Sequence, residues 1–470
     1  MTSPIRSQSP PRETIVAQAT PPGAGGVAVL RLSGPAALHI GRSLFRSADK
    51  HFQDFQPRML HFGRIEDQGG RILDEVLAVF MPGPHSYTGE DVLEIHCHGG
   101  NAAPAAILSV LLKAGARLAH RGEFTQRAFL NGRMDLTQAE AVAELIAAPT
   151  KAALHLAQAK LAGGLGRRVD SLRQRLDMLR AQLCLAVDFP EEDVECLPLE
   201  ELAQGAEQAL AEVTALLTAM ERAKAWREGV MAVLAGRVNA GKSSLLNALL
   251  GRERAIVTDL PGTTRDYLEE QVDLNGLRVR LVDTAGLREL GGAGDAVEAA
   301  GMERSRELAQ RADLVLFVAD GSQPLTASDL EEALQFGAQH TLAVISKADL
   351  PTALLNPAEA LAEQGLEIVR VSAKSGEGLD LLAERIRQRC TQGESEPDPD
   401  EAVPNARQAA LLAEAVLELQ ALRDDALSGI PHDLLGVRLE AACNLLASLT
   451  GEIAPQDVLN SIFDSFCIGK

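Results

Sequence analysis

Eight consecutive residues constrain this chain more than any other feature: Gly236-Arg237-Val238-Asn239-Ala240-Gly241-Lys242-Ser243. An apolar, strand-like run at 231–235 precedes them, and residues 244–250 continue with helical character. The spacing G-x-x-x-x-G-K-S between a strand and a helix specifies a phosphate-binding loop. Its backbone N–H groups and the helix N-terminus face an anion, Lys242 reaches β/γ oxygens, and Ser243 offers a hydroxyl to Mg²⁺. Such a loop needs a parallel sheet behind it, and residues 230–390 alternate strand and helix signals accordingly.

The elements that follow come in the order a GTP-hydrolysing domain requires. Thr263-Thr264-Arg265-Asp266 precedes the strand expected at 268–274, so Thr264 can give a switch hydroxyl to Mg²⁺. The strand at 277–282 runs into Asp283-Thr284-Ala285-Gly286, where Asp283 can hold Mg²⁺ through water and the Gly286 amide can sense a γ-phosphate. Strands at 314–319 and 341–345 lead to Ser346-Lys347-Ala348-Asp349. The Asp349 carboxylate can accept from the N1 and N2 hydrogens of guanine, which adenine cannot mimic. Val371-Ser372-Ala373-Lys374 then offers backbone donors to the guanine O6. Asn is usual where Ser346 stands, so one supporting contact is weakened. The competing reading is an adenine-binding P-loop relative.

Water placement must come from somewhere other than the residue after the D-x-x-G, because that residue is Leu287, which cannot orient water. Arg265 is a candidate arginine finger in cis, with a solvated switch charge as the blander and preferred reading. Asn239 has an oxygen to offer a monovalent cation beside the phosphates, where the ion would do a finger's work; the alternative is a loop-stabilising amide. Glu298 follows a Gly-rich stretch at 290–294 that can fold over the site, although a lone glutamate there also suits a surface helix.

The remainder of the chain has two textures. Short β-type runs at 15–19, 27–32, 59–65, 73–81 and 91–96 give the first ~130 residues an α/β character, with Ser33-Gly34-Pro35 expected to open a helix through Phe45. From 136 to 186, and again at 199–226, 402–427, 434–449 and 455–463, apolar residues recur at helical spacing. These helices need bundle partners, and the two helical halves flank the nucleotide-binding segment. The expected architecture is multidomain α/β plus α. It comprises an N-terminal α/β domain (1–130), a helical bundle domain in two parts (131–225 and 392–470), and a P-loop, Ras-like GTPase domain inserted between them (226–391). The acidic stretch 392–401 serves as exit linker.

With 45 Lys+Arg against 65 Asp+Glu, the net charge of −20 argues against indiscriminate nucleic-acid coating. The six cysteines lack a C-x-x-C pair, so neither a disulfide framework nor a zinc site is expected and a reducing cytoplasm is the default. No window reads as a membrane span, and residues 1–11 lack the apolar core of a secretory signal. His96-Cys97-His98 invites a metal reading, but no companion pair has ligand spacing, and a strand ending in a Gly turn is preferred. Glu191-Glu192-Asp193 reads as an acidic helix start rather than a catalytic pair.

Taken together, the motifs resemble the MnmE (TrmE) family of tRNA-modification GTPases, and the likeness covers nearly the whole chain. It rests on residues 14–20 with Pro21-Pro22-Gly23, Leu30-Arg31-Leu32-Ser33-Gly34, and Gly83-Pro84-His85-Ser86-Tyr87-Thr88-Gly89-Glu90-Asp91. Gly122-Glu123-Phe124, Arg127-Ala128-Phe129-Leu130-Asn131, Asp188-Phe189-Pro190 and the final Phe466-Cys467-Ile468-Gly469-Lys470 extend it. The resemblance implies a homodimer joined through a folate-binding N-terminal domain, with 5-formyl- or 5,10-methylene-tetrahydrofolate as one-carbon donor. It also implies a heterotetramer with the flavoprotein MnmG (GidA), which carries the FAD. Together they would place an aminomethyl or carboxymethylaminomethyl group at C5 of the wobble uridine of certain tRNAs.

By the same resemblance, the G domains meet across the dimer with K⁺ as activating cation, held by Asn239 and by Thr258, Leu260 and Thr263. Mg²⁺ falls to Ser243 and Thr264, and Glu298 takes the catalytic role beside Lys242 and Asn239. The GTP contacts comprise Asn239, Ala240, Gly241, Lys242, Ser243 and Ser244; Thr258, Asp259, Leu260, Pro261, Gly262, Thr263 and Thr264; Asp283, Thr284, Ala285 and Gly286; and Ser346, Lys347, Asp349, Ser372, Ala373 and Lys374. Folate contacts map to Arg31, Glu94, Lys470 and Arg133, the last where the family has Lys, so a point charge becomes a fork. A cationic pair suits a glutamate tail, and Glu94 suits pterin donors. Cys467 is a candidate thiol of the modification reaction. The alternative from a different class is a slow GTP-dependent switch or ribosome-assembly factor with flanks that only bind. Such a factor would carry a basic RNA-binding appendage, which the sequence lacks.

Overall fold

The computed structural model describes residues 13–67, 69–188, 197–252, 269–283, 307–354 and 356–470. They form two compact units: Met1–Ile146 with Ala159–Leu217 and Pro404–Lys470, and Ala147–Gln158 with Thr218–Val403. Glu191, Glu192 and Asp193, expected to open a helix, lie outside the described residues.

The first unit contains a seven-stranded sheet of β1 (Ile15–Gln18), β2 (Val27–Ser33), β3 (Phe45–Ser47), β4 (Leu60–Glu66), β5 (Ile72–Met81), β6 (Val92–His98) and β7 (Arg117–Leu118). The strand order is β3-β4-β5-β6-β2-β1-β7, antiparallel except for the β1–β7 pair. Its strands alternate: Ala28, Leu30, Leu32, Val76, Ala78, Phe80, Leu93, Ile95 and Cys97 are buried beneath α1 (Ala37–Leu44) and α2 (Ala102–Lys113). That alternation is the period-2 signature of a sheet covered on one face.

One expectation fails in this sheet. Ser33-Gly34-Pro35 does not cap a helix: α1 begins only at Ala37, and its end runs directly into β3. The Ser33 hydroxyl is taken by Thr88 Oγ1 (2.7 Å) and Glu90 (2.8 Å), while Thr14 Oγ1 accepts from the Ala36 N–H at 2.8 Å. Tertiary hydrogen bonds outcompete the local cap.

Helical segments complete the unit: α3 (Glu123–Leu130), α4 (Leu136–Ala147), part of α5 (Lys151–Leu161), α6 (Gly164–Asp188) and the first turns of α7 (Leu199–Glu228). Distant in sequence but in the same unit, Ala406–Leu427, His432–Thr450 and Gln456–Asp464 follow. The two halves are stitched by buried polar groups as well as by leucines. Arg407 makes a bidentate pair with Glu140 (2.6 and 2.8 Å), and Gln408 donates to the same carboxylate. Glu144 accepts from Lys160 and Asn405. Pairing keeps these charges affordable in a buried setting. The last helical half starts four residues later than its periodicity indicates, because Asn405 and Gln408 form a reciprocal capping box just after Pro404.

The second unit is a doubly covered sheet of β8 (Val230–Ala235), β9 (Glu269–Leu274), β10 (Leu277–Asp283), β11 (Leu314–Asp320), β12 (Thr341–Ser346) and β13 (Glu367–Arg370). Its order is β13-β12-β11-β8-β10-β9, all parallel except the β9–β10 hairpin. Ala232, Leu234, Leu316, Val318, Leu342 and Val344 enter one apolar core, and Val233, Ala235, Val315, Phe317, Ala343 and Ile345 enter the other. Continuous apolar strands are what a parallel sheet with two buried faces requires. Helix α8 (Lys242–Arg252) leaves β8, followed in the described residues by α9 (Ala327–Leu334), α10 (Pro357–Glu363) and α11 (Leu379–Cys390). The chain passes from β8 to β10 on one side and then to β11 on the other. This switch of direction opens a crevice at the C-terminal end of β8.

Candidate functional site

The phosphate loop turns at that crevice. Gly236 has φ +116°, and a Cβ there would sit 2.3 Å from the Val318 carbonyl oxygen, so only glycine brings β8 this close to β11. Asn239, at the exposed crown of the loop, is also left-handed, with φ +64°. Lys242 is buried, and its Nζ donates to the carbonyls of Gly236 (2.6 Å) and Arg237 (2.7 Å). Ser243 Oγ donates to Asp283 Oδ2 at 2.8 Å, across the β8–β10 neighbours. A hydroxyl and a buried carboxylate side by side make an all-oxygen donor set, which fits a small hard cation such as Mg²⁺.

The base-reading loops border the same crevice. Asp349 is exposed, and Oδ1 accepts from the Ser372 hydroxyl at 2.7 Å. That bond holds the Asp349 carboxyl below the usual carboxylate range, so it stays an acceptor. Ser372 is buried, and its oxygen also receives the Ser375 N–H at 3.2 Å, which ties residues 372–375 into a turn beside Asp349. Lys347 adopts φ +56°, and its Nζ bonds Asp320 Oδ2 at 2.6 Å. Burial pushes the Asp320 carboxyl up, but hydrogen bonds from Lys347 and Ser322 outweigh it and hold the group low. Ser346 is buried, and its hydroxyl lies 2.5 Å from the Ala240 carbonyl and 3.2 Å from that of Ala319.

Ala240, Gly241, Ala373 and Lys374 sit on these same loops, and Ser244 lies in the first turn of α8. Thr258, Asp259, Leu260, Pro261, Gly262, Thr263, Thr264, Arg265, Thr284, Ala285, Gly286 and Glu298 lie outside the described residues.

A second cluster occupies the open face of the first unit's sheet. Arg31 and Glu94 are cross-strand partners, joined Nε to Oε1 at 2.7 Å and both largely buried. The Arg31 guanidinium stands 5.7 Å from the ring centroids of both Tyr87 and Phe124, a geometry that fixes its position. Tyr87 is anchored in turn by Thr125 Oγ1 at 2.8 Å. The chain's last residues reach the same end of the sheet. Arg121 Nε donates to the Phe466 carbonyl at 2.9 Å, Ile468 bridges Arg121, and Gly469 packs against Gln18 and Ala19. Ala17, the residue before Gln18, is the cross-strand partner of Arg31. Neither Lys470 nor Arg133 makes an ion pair among the described residues, whereas Arg31 does. Arg133 lies against Gly89. Cys467 is exposed.

Sequence reasoning missed the surroundings of this cluster. Phe62, Leu77, His96 and Val29 form one cross-strand row, and Leu60, Val79, Glu94 and Arg31 form the adjacent row. Leu60 and Phe62 are each about half exposed and Leu77 is also exposed, so the charged pair ends an uncovered apolar strip. The alternating pattern of β4 and β5 carried the signal, with Leu60 and Phe62 on the polar phase. Strand alternation also separates His96-Cys97-His98. Cys97 enters the core and burial pushes its thiol up to about 11, His98 Nδ1 meets Asp74 at 2.7 Å, and His96 Nε2 lies 3.5 Å from Glu94.

The phosphate loop at the switch point, with a carboxylate-bearing base loop beside it, defines a P-loop nucleotide-binding protein of the GTPase type set within a larger helical frame. Comparison with known proteins sharpens the class. Residues 136–467 match the MnmE helical domain, and residues 14–133 match the N-terminus of the GTP-binding protein TrmE. The chain is 53% identical over 460 residues to the tRNA modification GTPase MnmE of Nitratidesulfovibrio vulgaris (strain DP4), covering 97% of this chain and 99% of that protein. It is 46% identical to its counterpart in Lawsonia intracellularis, covering 97% and 100%, and 38% identical to that of Clostridioides difficile, covering 97% and 99%. The chain belongs to the MnmE family.

Proposed function

We propose that the chain is a GTP hydrolase of tRNA modification, with K⁺ and G-domain dimerisation activating turnover. In this reading it acts with the flavoprotein MnmG (GidA), which holds FAD. Together they install an aminomethyl or carboxymethylaminomethyl group at C5 of the wobble uridine of certain tRNAs, in the cytoplasm. The observation that carries the reading is the Ser372–Asp349 hydrogen bond of 2.7 Å. It holds an exposed carboxylate as an acceptor, which suits the donors of a guanine. Among the described residues no helix is long and apolar enough to cross a membrane.

In this assignment residues 226–391 form the GTPase domain, 131–225 with 392–470 the helical domain, and 1–130 the folate-binding and dimerisation domain. Lys242 exchanges its bonds to the Gly236 and Arg237 carbonyls for phosphate oxygens. Ser243 and Thr264 would hold Mg²⁺, with Asp283 supporting through water, and the ion would neutralise phosphate charge. Asn239, Thr258, Leu260 and Thr263 would hold K⁺, which would supply the positive charge an arginine finger supplies elsewhere. Glu298 orients the attacking water. Thr284, Ala285 and Gly286 report the γ-phosphate to the switch.

In the N-terminal domain, Arg31, Arg133 and Lys470 would meet the acidic tail of a tetrahydrofolate, and Glu94 the donors of its pterin. The fit is supported by an arginine held against a carboxylate, and by Lys470 and Arg133, which make no ion pair among the described residues. The uncovered strip of Leu60, Phe62 and Leu77 supports a homodimer through this domain, since a large exposed apolar face is a common mark of an interface. Cys467 is the candidate thiol for the modification step, a reading supported only by its exposure.

GTP turnover by the full chain in K⁺ and in Na⁺, for wild type, Asn239→Ala and Glu298→Ala, tests this function. Strong K⁺ dependence lost in Asn239→Ala, with turnover abolished in Glu298→Ala, is expected. Equal rates in both salts remove the cation mechanism. Nucleoside analysis of tRNA from a strain lacking the protein tests the pathway, where unchanged wobble uridines would count against it.

A further inference from the structure

The guanine edge presents N1 and N2 hydrogens as donors, and O6 and N7 as acceptors. In the proposed reading Asp349 meets the donors, and the backbone of 372–374 meets O6. The remaining acceptor, N7, needs a donor from the start of the base-reading loop. A carboxamide at position 346 would bring two N–H hydrogens, one for the phosphate-loop carbonyl and one to spare for the base. Ser346 brings a single hydroxyl hydrogen. Its oxygen is buried, 2.5 Å from Ala240 O and 3.2 Å from Ala319 O, so that one hydrogen is spent inside the protein. The nearest cation on the same loop, Lys347 Nζ, is bound to Asp320 Oδ2 at 2.6 Å.

We infer that Ser346 is a positioning residue that ties the base-reading loop to the phosphate loop, and that this chain recognises guanine without a donor to N7. The small side chain also suits the site sterically. Gly241 lies against it, with a Cβ built there 3.3 Å from Ser346 Oγ. Guanine selectivity then rests on Asp349 and the 372–374 backbone, and among the described residues the Ser346 hydroxyl has no hydrogen to spare for N7 while the Lys347 ammonium is engaged by Asp320. This inference rests on the guanine-nucleotide reading of the site given above.

The test is calorimetric titration of the full-length protein, in Mg²⁺ buffer, with GDP and with 7-deaza-GDP, in which a C–H replaces N7. The wild type is expected to bind both within about twofold. Ser346→Asn is expected to favour GDP by about fivefold, the worth of one ordinary hydrogen bond. Ser346→Ala, which only removes the tether, is expected to weaken both nucleotides equally. A wild type that loses fivefold or more on removal of N7 overturns the inference, as does a Ser346→Ala protein whose preference between the two nucleotides changes. If Ser346→Asn does not fold, the wild-type and alanine comparisons decide alone. A protein that binds ADP as well as GDP overturns the guanine reading itself, a different result from sensitivity to N7.

Discussion

The Ser372 hydroxyl donates to Asp349 Oδ1 at 2.7 Å, so the carboxylate proposed to read the base is held by the loop that follows β13. One oxygen of the carboxylate is oriented from behind, leaving the other and the spare lone pairs for a ligand. The same bond lowers the Asp349 pKa. Guanine recognition needs the ionised form, so wild-type GDP binding persists as pH falls below the ordinary carboxylate range. Removing the donor in Ser372→Ala lets the carboxyl protonate at higher pH. The variant should bind GDP about fivefold more weakly at neutral pH, with its acid limb displaced upward. Superimposable acid limbs in a titration of GDP affinity against pH would refute this.

Replacing the same carboxylate by an amide changes which base fits. In Asp349→Asn the donor side of the carboxamide opposes the N1 and N2 hydrogens of guanine, whereas xanthine presents a carbonyl at C2. Losing two charge-assisted hydrogen bonds should weaken GDP by roughly 100-fold and raise the affinity for the xanthine nucleotide. Competition between GDP and the xanthosine diphosphate on the variant reads this directly, and an unchanged preference for GDP would show that Asp349 is not the base reader.

The nucleotide site was legible in the sequence because phosphate chemistry demands local motifs. A glycine that must approach Val318 O, a lysine and a serine have to be neighbours in the chain to be neighbours in space. The β8 and β12 strands were legible for a related reason, since burial on both faces leaves uninterrupted apolar runs. Register was not legible. Nothing local announces that Phe62, Leu77, His96 and Val29 share a row, or that Arg31 meets Glu94 across 63 positions. The expected cap at Ser33 failed for the same reason, because its hydroxyl is claimed by Thr88 and Glu90, more than 50 residues away. Family resemblance groups Arg31, Glu94 and Lys470, and of these the structure joins Arg31 to Glu94.

A buried ion network under the first sheet should make the first unit acid-sensitive. Burial pushes the Glu123 carboxyl up, but hydrogen bonds from Arg117, the His120 N–H and Arg127 outweigh it and hold it at about 2. A depressed folded-state pKa means stability that is fully present above the unfolded value near 4.5 and lost as pH falls toward 2. After allowance for solvent screening, the contribution is about 2 kcal/mol. Glu123→Gln should therefore melt at lower temperature at pH 7, and the gap to wild type should narrow through that acid window. A gap that stays constant from neutral pH down to 3, followed by differential scanning fluorimetry, would assign the loss to packing alone.

The docked C-terminus offers a way to separate the two sites. Gly469 has φ +96°, and a Cβ there would lie 2.3 Å from the Gln18 carbonyl oxygen and 2.9 Å from Ala19 Cα. Gly469→Ala therefore strains the backbone and drives the last residues, Lys470 included, off Gln18 and Ala19. If Lys470 contacts folate as proposed, affinity for 5-formyl-tetrahydrofolate should fall by about tenfold, the worth of one charge-assisted hydrogen bond. Lys470→Met removes the charge without the strain and should give a similar loss. The phosphate loop and Asp349 belong to the other compact unit, so GTP turnover in K⁺ should stay within about twofold of wild type. Folate affinity untouched by both substitutions would mean that Lys470 does not contact the ligand, leaving Arg31 and Arg133 to balance the acidic tail.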